Sequence, residues 1–349
     1  MGMFPSVGGQ SANYNRETLM KSAPTGPLLD TPPAKNRFRG RLLTWYFRNR
    51  RDLPWRKNQD PYRVWVSEIM LQQTRVVAVL EHYQKFLRRF PTVRKLATAR
   101  ENSVLAAWSG LGYYRRARML HAAAKEIVRK HDGKFPVSVA GWRELPGIGR
   151  YTAAAIASIA FNESVAVVDG NVERVLQRVS GKVLAGEKLW QAAEGLLDCH
   201  RPGDFNQAMM ELGATVCLPR QPMCLACPVA NFCATRGELK SEKKSSRQHK
   251  KEIYYALARR NGSVFMVQRP KDAAQMPRMW ELPEVSNTNG AHKTWLTLRH
   301  SITLTDYTVN VLRNTPIDGL AGQWVLQSRL NKLPLTGLAR KILRTAEMI

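Results

Sequence analysis

Between residue 37 and about residue 235 the apolar positions recur with helical spacing, and strand-like alternation is nearly absent. Asp60-Pro61 reads as a helix start: the carboxylate can cap free N–H groups, and proline in the first turn loses nothing by lacking one. Val76, Leu80, Tyr83, Leu87 and Phe90 then repeat on one helical face, with Thr74 as the expected cap. Further helices are predicted over 102–109, 113–130, 150–161, 171–180, 188–199 and 204–216. Residues 1–36 are rich in Gly, Pro, Ser and Asn. They have no apolar h-region and few arginines, so they read as a disordered tail and not as a targeting peptide.

After residue 235 the pattern changes. Residues 236–251 are polar, basic and without apolar period, as expected of an exposed linker. Ile253–Leu257 and Val264–Val267 flank Asn261-Gly262, a strong hairpin signal, because both turn residues tolerate positive φ. Strands are also predicted over 296–298, 307–312 and 323–326, and a closing helix over 336–348. Residues 252–349 are therefore an expected α+β domain. No repeat is evident, and no apolar run reaches the roughly 20 residues of a membrane span.

Charge narrows the function. The 349 residues include 54 Lys and Arg against 27 Asp and Glu, a formal charge of +27. So basic a chain points to a polyanion partner more than to a merely solvated basic surface. The five cysteines form no disulfide framework, so a reducing compartment is expected. Cys199 falls in an apolar helical run and reads as a buried thiol.

The other four cysteines, Cys217, Cys224, Cys227 and Cys233, are spaced C-x6-C-x2-C-x5-C. Structural zinc sites usually join two short hooks across a longer loop, and only Cys224 and Cys227 make such a hook. Pro219, Pro222 and Pro228 stiffen the segment. Four thiolates in one compact loop suit a [4Fe-4S] cubane, with a zinc knuckle or a reduced cysteine-rich loop as the alternative.

Two further motifs are weaker alone. Leu145-Pro-Gly-Ile-Gly-Arg-Tyr-Thr152 leads into an apolar helix, where Gly147 and Gly149 permit a tight turn and leave helix N–H groups free for an anion. Asp169 follows Val167-Val168 and starts a helix, so by itself it reads as an N-cap. Glu68 would read as a helix-surface carboxylate, except that Trp65, Val66, Ile69 and Met70 around it suggest burial and a raised pKa.

Taken in order and spacing, the hairpin, Asp169 and the cysteine loop resemble the helix-hairpin-helix DNA glycosylases related to endonuclease III. More closely they resemble the MutY family, adenine DNA glycosylases that act on adenine opposite 8-oxoguanine. The similarity runs from residue 37 to the C-terminus and rests on RDLPWR (51–56), WVSEIMLQQT (65–74), GLGYYRRAR (110–118), LPGIGRYTA (145–153), VDGNVERVL (168–176), FNQAMMELGATVC (205–217) and the cysteine loop. It implies an α-helical helix-hairpin-helix glycosylase domain over 37–235 with a [4Fe-4S] loop. A basic linker and a C-terminal α+β Nudix-like domain that senses the lesion would follow. The stretches Met266–Pro270 and Met279–Pro283 carry that second likeness, and no acidic Nudix box is present, so binding without hydrolysis is expected.

The resemblance also implies roles. Glu68 would protonate the adenine and later help activate water, while Asp169 would stabilise or trap the sugar cation. Tyr151 and Asn171 would hold the carboxylates and the sugar. Lyase-competent relatives carry lysine where this chain has Tyr151, so a monofunctional enzyme is expected. Arg51, Leu53, Trp55, Arg56 and Gln207 would form the adenine pocket. Gln73 and Tyr113 would wedge into the base stack beside the opposite base, with Gly147 and Gly149 at the DNA backbone.

One departure stands out. The family often places Phe-Ser-His after an Arg-His strand, but here Arg299-His300-Ser301 leads to Ile302, Thr303 and Leu304. The histidine is gone and a hydroxyl remains, so a reduced preference for 8-oxoguanine is expected. The implied partner is double-stranded DNA with A:8-oxoguanine or A:G mispairs. The chain would act as a monomer, away from membranes, in the bacterial cytoplasm with the nucleoid. The competing expectations are a bifunctional endonuclease III-like glycosylase and lyase, a non-catalytic iron–sulfur DNA-binding protein, and a Nudix nucleotide hydrolase.

Overall fold

The computed structural model describes residues 29–239, 249–286, 293–302, 305–313, 315–317 and 319–349. Its first part is helical: α1 (Pro32–Asn49), α2 (Pro61–Leu71), α3 (Val76–Arg89), α4 (Val93–Ala97), α5 (Glu101–Trp108), α6 (Arg115–His131), α7 (Val139–Arg143), α8 (Arg150–Phe161), α9 (Gly170–Ser180), α10 (Glu187–Leu196) and α11 (Pro202–Thr215). Local chemistry accounts for several ends. Asp60 accepts from the Arg63 N–H at 2.9 Å with Pro61 behind it, as its sequence implies. Residues 32–36, expected in the tail, already belong to α1, which Thr31 caps and Pro32 and Pro33 open. Residues 1–28 lie outside the described residues.

Two expectations fail here for tertiary reasons. Thr74 does not cap α3; the N-cap position is Arg75, and no side chain closes it. The Thr74 hydroxyl donates to the Gln72 carbonyl and accepts from Arg116 instead. Cys199 is exposed, because α10 stops at Leu196 and the thiol falls in the following turn. Leu189, Ala193 and Leu196 supply the buried face of that helix without it.

The helices enclose two cores. One joins α2 to α8 around Trp65, Trp108, Trp142, Phe86 and Ile156. The other joins α1 and α9–α11 around Phe38, Tyr46, Leu176, Phe205 and Leu212, and the cysteine loop packs on it through Val229 and Phe232. Full burial of one Leu or Phe stabilises by about 1.5–3 kcal/mol, so these two cores hold the elements that meet between them.

The C-terminal part is built on β1 (His249–Ala256), β2 (Arg259–Arg260), β3 (Ser263–Gln268), β4 (Trp280–Glu281), β5 (Glu284–Val285), β6 (Thr294–Ile302), β7 (Thr305–Leu312), β8 (Gln323–Leu326), α12 (Gln327–Leu330) and α13 (Gly337–Thr345). One sheet runs β5-β1-β7-β6 with β1 and β7 parallel; the other joins β2, β3 and β4, with β8 on the free side of β3. Asn261 and Gly262 do form a tight turn, with φ of 46° and 69°. It connects β3 to β2, not to the 253–257 strand. That strand lies in β1, whose partners β7 and β5 are distant in sequence. Residues 249–251, expected in the linker, already belong to β1, and 240–248 lie outside the described residues. Thr303 and Leu304 also lie outside them; Ile302 ends β6.

The two parts touch. Met279 is fully buried in the first helical core, and the Ser109 and Tyr114 hydroxyls both donate to the Leu335 carbonyl, at 2.9 and 2.8 Å. No helix among the described residues is long and apolar enough to cross a membrane.

Candidate active site and cysteine loop

The seam between the two helical cores opens into a cleft of about 540 Å³, within the range of small-molecule sites. One wall comes from α2 and α8, with Glu68 and Tyr151; the other comes from α9 and α11, with Asp169, Asn171, Gln207, Met210 and Glu211. Arg51, Leu53, Trp55, Arg56 and Gln73 also line it. The expected carboxylates and the five expected pocket residues thus line one cavity, although they come from segments more than 150 residues apart.

Glu68 is 6% exposed, packed between apolar residues of α2. The Tyr151 hydroxyl donates to its Oε2 at 2.8 Å. Burial pushes the Glu68 carboxyl up to about 7; Asp169 adds to the rise, and the Tyr151 bond and Arg56 oppose it. Tyr151 is itself raised well above an ordinary phenol, chiefly by burial and then by Glu68 and Asp169, so it stays a donor. A carboxyl poised near neutrality can deliver a proton at physiological pH.

Asp169 is the N-cap of α9, as its local sequence suggested. Oδ1 accepts from the Asn171 and Val172 N–H groups at 2.9 and 2.7 Å. Oδ2 accepts from Asn171 Nδ2 at 2.9 Å. The cap therefore fixes the carboxylate's orientation toward the cleft. Arg174 holds Asn171 in turn, donating to its Oδ1 at 2.9 Å and reaching the Cys217 carbonyl at 2.8 Å.

Glu211 was not among the expected site residues. Its buried carboxylate takes Arg51 Nε and Nη2 and Arg56 Nη2, each at 2.8 Å. Hydrogen bonds from the two arginines hold its carboxyl down at about 2 against the opposing effect of burial. Arg51 and Arg56 thus form the cleft floor as a unit. The sequence signal was a lone acid in the apolar run Met209-Met210-Glu211-Leu212, which has no reason to be buried unless paired.

Gln73 and Tyr113 both adopt left-handed backbone, at φ of 53° and 47°, and both are exposed. Such conformations cost about 1–3 kcal/mol each and persist only where the surroundings impose them. Gln73 lines the cleft, and Tyr113 does not. At the hairpin, Gly147 has φ of 76°, and a Cβ there would lie 2.4 Å from Met119 Cβ. Its close approach is therefore to α6 of the same chain. Gly149 occupies the N-cap of α8, where a Cβ would meet open space and no side chain caps the helix. Arg150 stacks on Trp190 at 3.9 Å and pairs with Glu187 at 2.6 Å.

Cys217, Cys224, Cys227 and Cys233 line one pocket beside Arg178, whose Nη1 lies 3.3 Å from Cys217 Sγ. All four are free thiols. Burial pushes Cys227 up to about 11, with the other three thiols adding repulsion. Among the described residues no three His, Cys, Asp or Glu side chains converge tightly enough to hold a single metal ion. The thiols instead surround shared space, and the donor set fits a larger cationic centre.

The stretch 66–183 matches the HhH-GPD superfamily of base excision DNA repair proteins. The human adenine DNA glycosylase is 47% identical over 260 residues, covering 69% of this chain and 48% of that protein. The mouse adenine DNA glycosylase is 37% identical over 344 residues, covering 80% and 67%. A solved thermostable thymine-DNA glycosylase superposes with a TM-score of 0.54 at 31% identity, over 57% of this chain and 94% of that one. The helical part therefore has the HhH-GPD glycosylase fold, followed by a C-terminal sheet region. The matched stretch spans about half to two thirds of the length of these mammalian relatives.

Proposed function

The chain belongs to the adenine DNA glycosylase family, and from that membership we propose that it excises adenine mispaired with 8-oxoguanine or guanine in duplex DNA. The observation that carries the proposal is the buried Glu68 carboxyl, held by Tyr151 with a pKa of about 7, in the same cleft as the fixed Asp169 carboxylate. Cleavage of an N-glycosidic bond builds negative charge on the departing base and positive charge on the sugar. A flipped-out adenine enters the cleft, and Glu68 donates its proton to the ring. Asp169, oriented by the α9 N–H groups and Asn171, faces the sugar cation and either stabilises it or bonds to it. Glu68, now ionised, takes a proton from the incoming water.

The Arg51–Glu211–Arg56 floor, Leu53, Trp55 and Gln207 shape the base pocket. With Tyr151 in place of a lysine, no amine at that position can form an imine with the opened sugar, which supports hydrolysis without strand cleavage. Cys217, Cys224, Cys227 and Cys233 would hold a [4Fe-4S] cluster. When bound, that cluster would supply rigid charge-compensated support to the loop beside α9. The C-terminal region is proposed to be Nudix-like, with Ile302, Thr303 and Leu304 at the lesion. The N-terminus of α8 at Gly149, which no side chain caps, is proposed as the DNA phosphate contact. The protein is proposed to act as a monomer with the nucleoid of a bacterial cytoplasm.

The test is single-turnover release of adenine from A:8-oxoguanine, A:G and A:C duplexes at fixed salt, since DNA affinity shifts with ionic strength. Excision from the first two and little from the third is expected. No adenine release from any of them overturns the proposal.

A further inference from the structure

We propose that Arg116 and Tyr114 are positioning residues that lock the turns carrying Gln73 and Tyr113 into one preformed wedge, seated on the C-terminal body at Leu335. The proposal rests on the glycosylase function above, but its residues lie outside the proposed chemistry.

Two strained turns come from different helix ends, one after α2 and one before α6. Each places an exposed, left-handed, non-glycine residue at its tip. A single guanidinium holds both. Arg116 Nη1 donates to the Ile69 and Met70 carbonyls at 2.9 Å each, and to the Gln72 carbonyl beside Gln73. Nη2 donates to Thr74 Oγ1 at 3.0 Å, on the other side of Gln73, and to the Leu111 and Gly112 carbonyls at 3.1 and 3.2 Å, just before Tyr113. The guanidinium also lies 5.5 Å from the Tyr113 ring centre and 5.4 Å from that of Trp108. A planar fork with five donors reaches these six acceptors on two chain segments in a fixed geometry, whereas an ammonium has three donors on a point charge and can hold fewer of them.

The second hold comes from the C-terminal body. Tyr114, next to Tyr113, is 2% exposed, and its hydroxyl donates to the Leu335 carbonyl at 2.8 Å. Ser109, at the start of the same loop, donates to that carbonyl at 2.9 Å and accepts from Arg340 Nε at 2.9 Å. The loop 109–114 is therefore pinned at both ends to one C-terminal carbonyl, while Arg116 ties its middle to the Gln73 turn. A group that must enter a base stack gains from being held in its inserted conformation beforehand, because the ordering cost is then met on folding. The C-terminal body, through Leu335, sets where Tyr113 points.

The experiment compares Arg116→Lys and Tyr114→Phe with the unaltered full chain. One substrate is a fully paired A:8-oxoguanine duplex; the other has the same adenine inside a short unpaired bubble, already unstacked. Unstacking is read from 2-aminopurine beside the adenine, excision from single-turnover kinetics, and folding from circular dichroism. Both variants are expected to lose about ten- to a hundred-fold in excision and unstacking on the paired duplex, the scale of a misplaced group. On the bubble they are expected to come within a few-fold of the parent chain. If Arg116→Lys fails to fold, Tyr114→Phe, which deletes one oxygen, carries the test. Equal losses on both substrates, or no loss on either, overturn the proposal. If the parent chain releases no adenine at all, the enzyme assignment fails, and the 2-aminopurine signal on binding still decides the wedge.

Discussion

Gly213 sits so close to Asn171 that a Cβ on it would lie 2.6 Å from the Asn171 Cβ and 2.9 Å from the Asn171 carbonyl oxygen. Helices α9 and α11 meet at this point, and the contact sets the height of the α9 N-terminus, where Asp169 caps. The glycine is thus a spacer beneath a proposed catalytic carboxylate. Gly213→Ala must push α9 away, at a cost of about 1–3 kcal/mol from overpacking. A lowered melting temperature is expected, with slower excision and duplex binding largely kept. Unchanged single-turnover kinetics would show that α9 does not need this contact.

Glu68 couples activity and stability to pH. Its carboxyl, raised from 4.5 to about 7 by burial, binds more protons folded than unfolded between those values. The stability it contributes is therefore present below 4.5 and is lost as the pH rises through about 7. Glu68→Gln keeps the shape without the charge, so it should match the parent chain at low pH and exceed its stability at pH 8. Excision by the parent should fall above neutrality as the acid is lost, and Glu68→Gln and Asp169→Asn should each abolish it. Denaturant titrations and excision rates across pH 5 to about 8.5 test both expectations.

Glu211 carries the opposite sign. Its carboxyl is held down at about 2 by Arg51 and Arg56, so its contribution is present above 4.5 and is lost as the pH falls toward 2. Glu211→Gln leaves two guanidinium groups facing each other at the cleft floor. A loss of roughly 2–3 kcal/mol is expected, toward the lower end for a buried pair because Arg51 is partly exposed. Adenine affinity should fall as well. A variant as stable as the parent at pH 7 would mean that the pair is not part of the floor.

The cysteine loop can be tested without an activity assay. Anaerobically prepared protein is expected to be yellow-brown, with about four irons and four sulfides per chain. Substituting serine for Cys227, which lies between the other ligands, should bleach it. Stoichiometric zinc without iron would refute the cluster.

A lysine in place of Tyr151 should bring an amine to the wall that faces Glu68 and Asp169. Some strand nicking, trapped covalently by borohydride, is expected in Tyr151→Lys, together with weaker excision because the bond to Glu68 is altered. Absence of any trapped adduct would place the sugar elsewhere.

Sequence alone determined what depends on near neighbours. The apolar period placed α8 at Arg150–Phe161, residue for residue, because helical hydrogen bonds and side-chain stripes repeat within a few positions. The Asp60 and Asp169 caps and the Asn261-Gly262 turn follow from local N–H geometry in the same way. Motif order then brought the expected carboxylates, pocket residues and cysteines to notice together.

Tertiary structure decided what depends on distant partners. Thr74 serves Arg116 instead of capping α3, because the half-buried Arg116 guanidinium needs acceptors and takes this hydroxyl as one of them. The 253–257 segment leaves its hairpin neighbour to pair in parallel with β7, since only a central position between β5 and β7 buries Ile253 and Tyr255. Glu211 and Arg116 look like ordinary helix charges in the chain. Each becomes the hub of a site only when folding removes water around it, and the hydrogen bonds it then donates or accepts offset the cost of burying its charge.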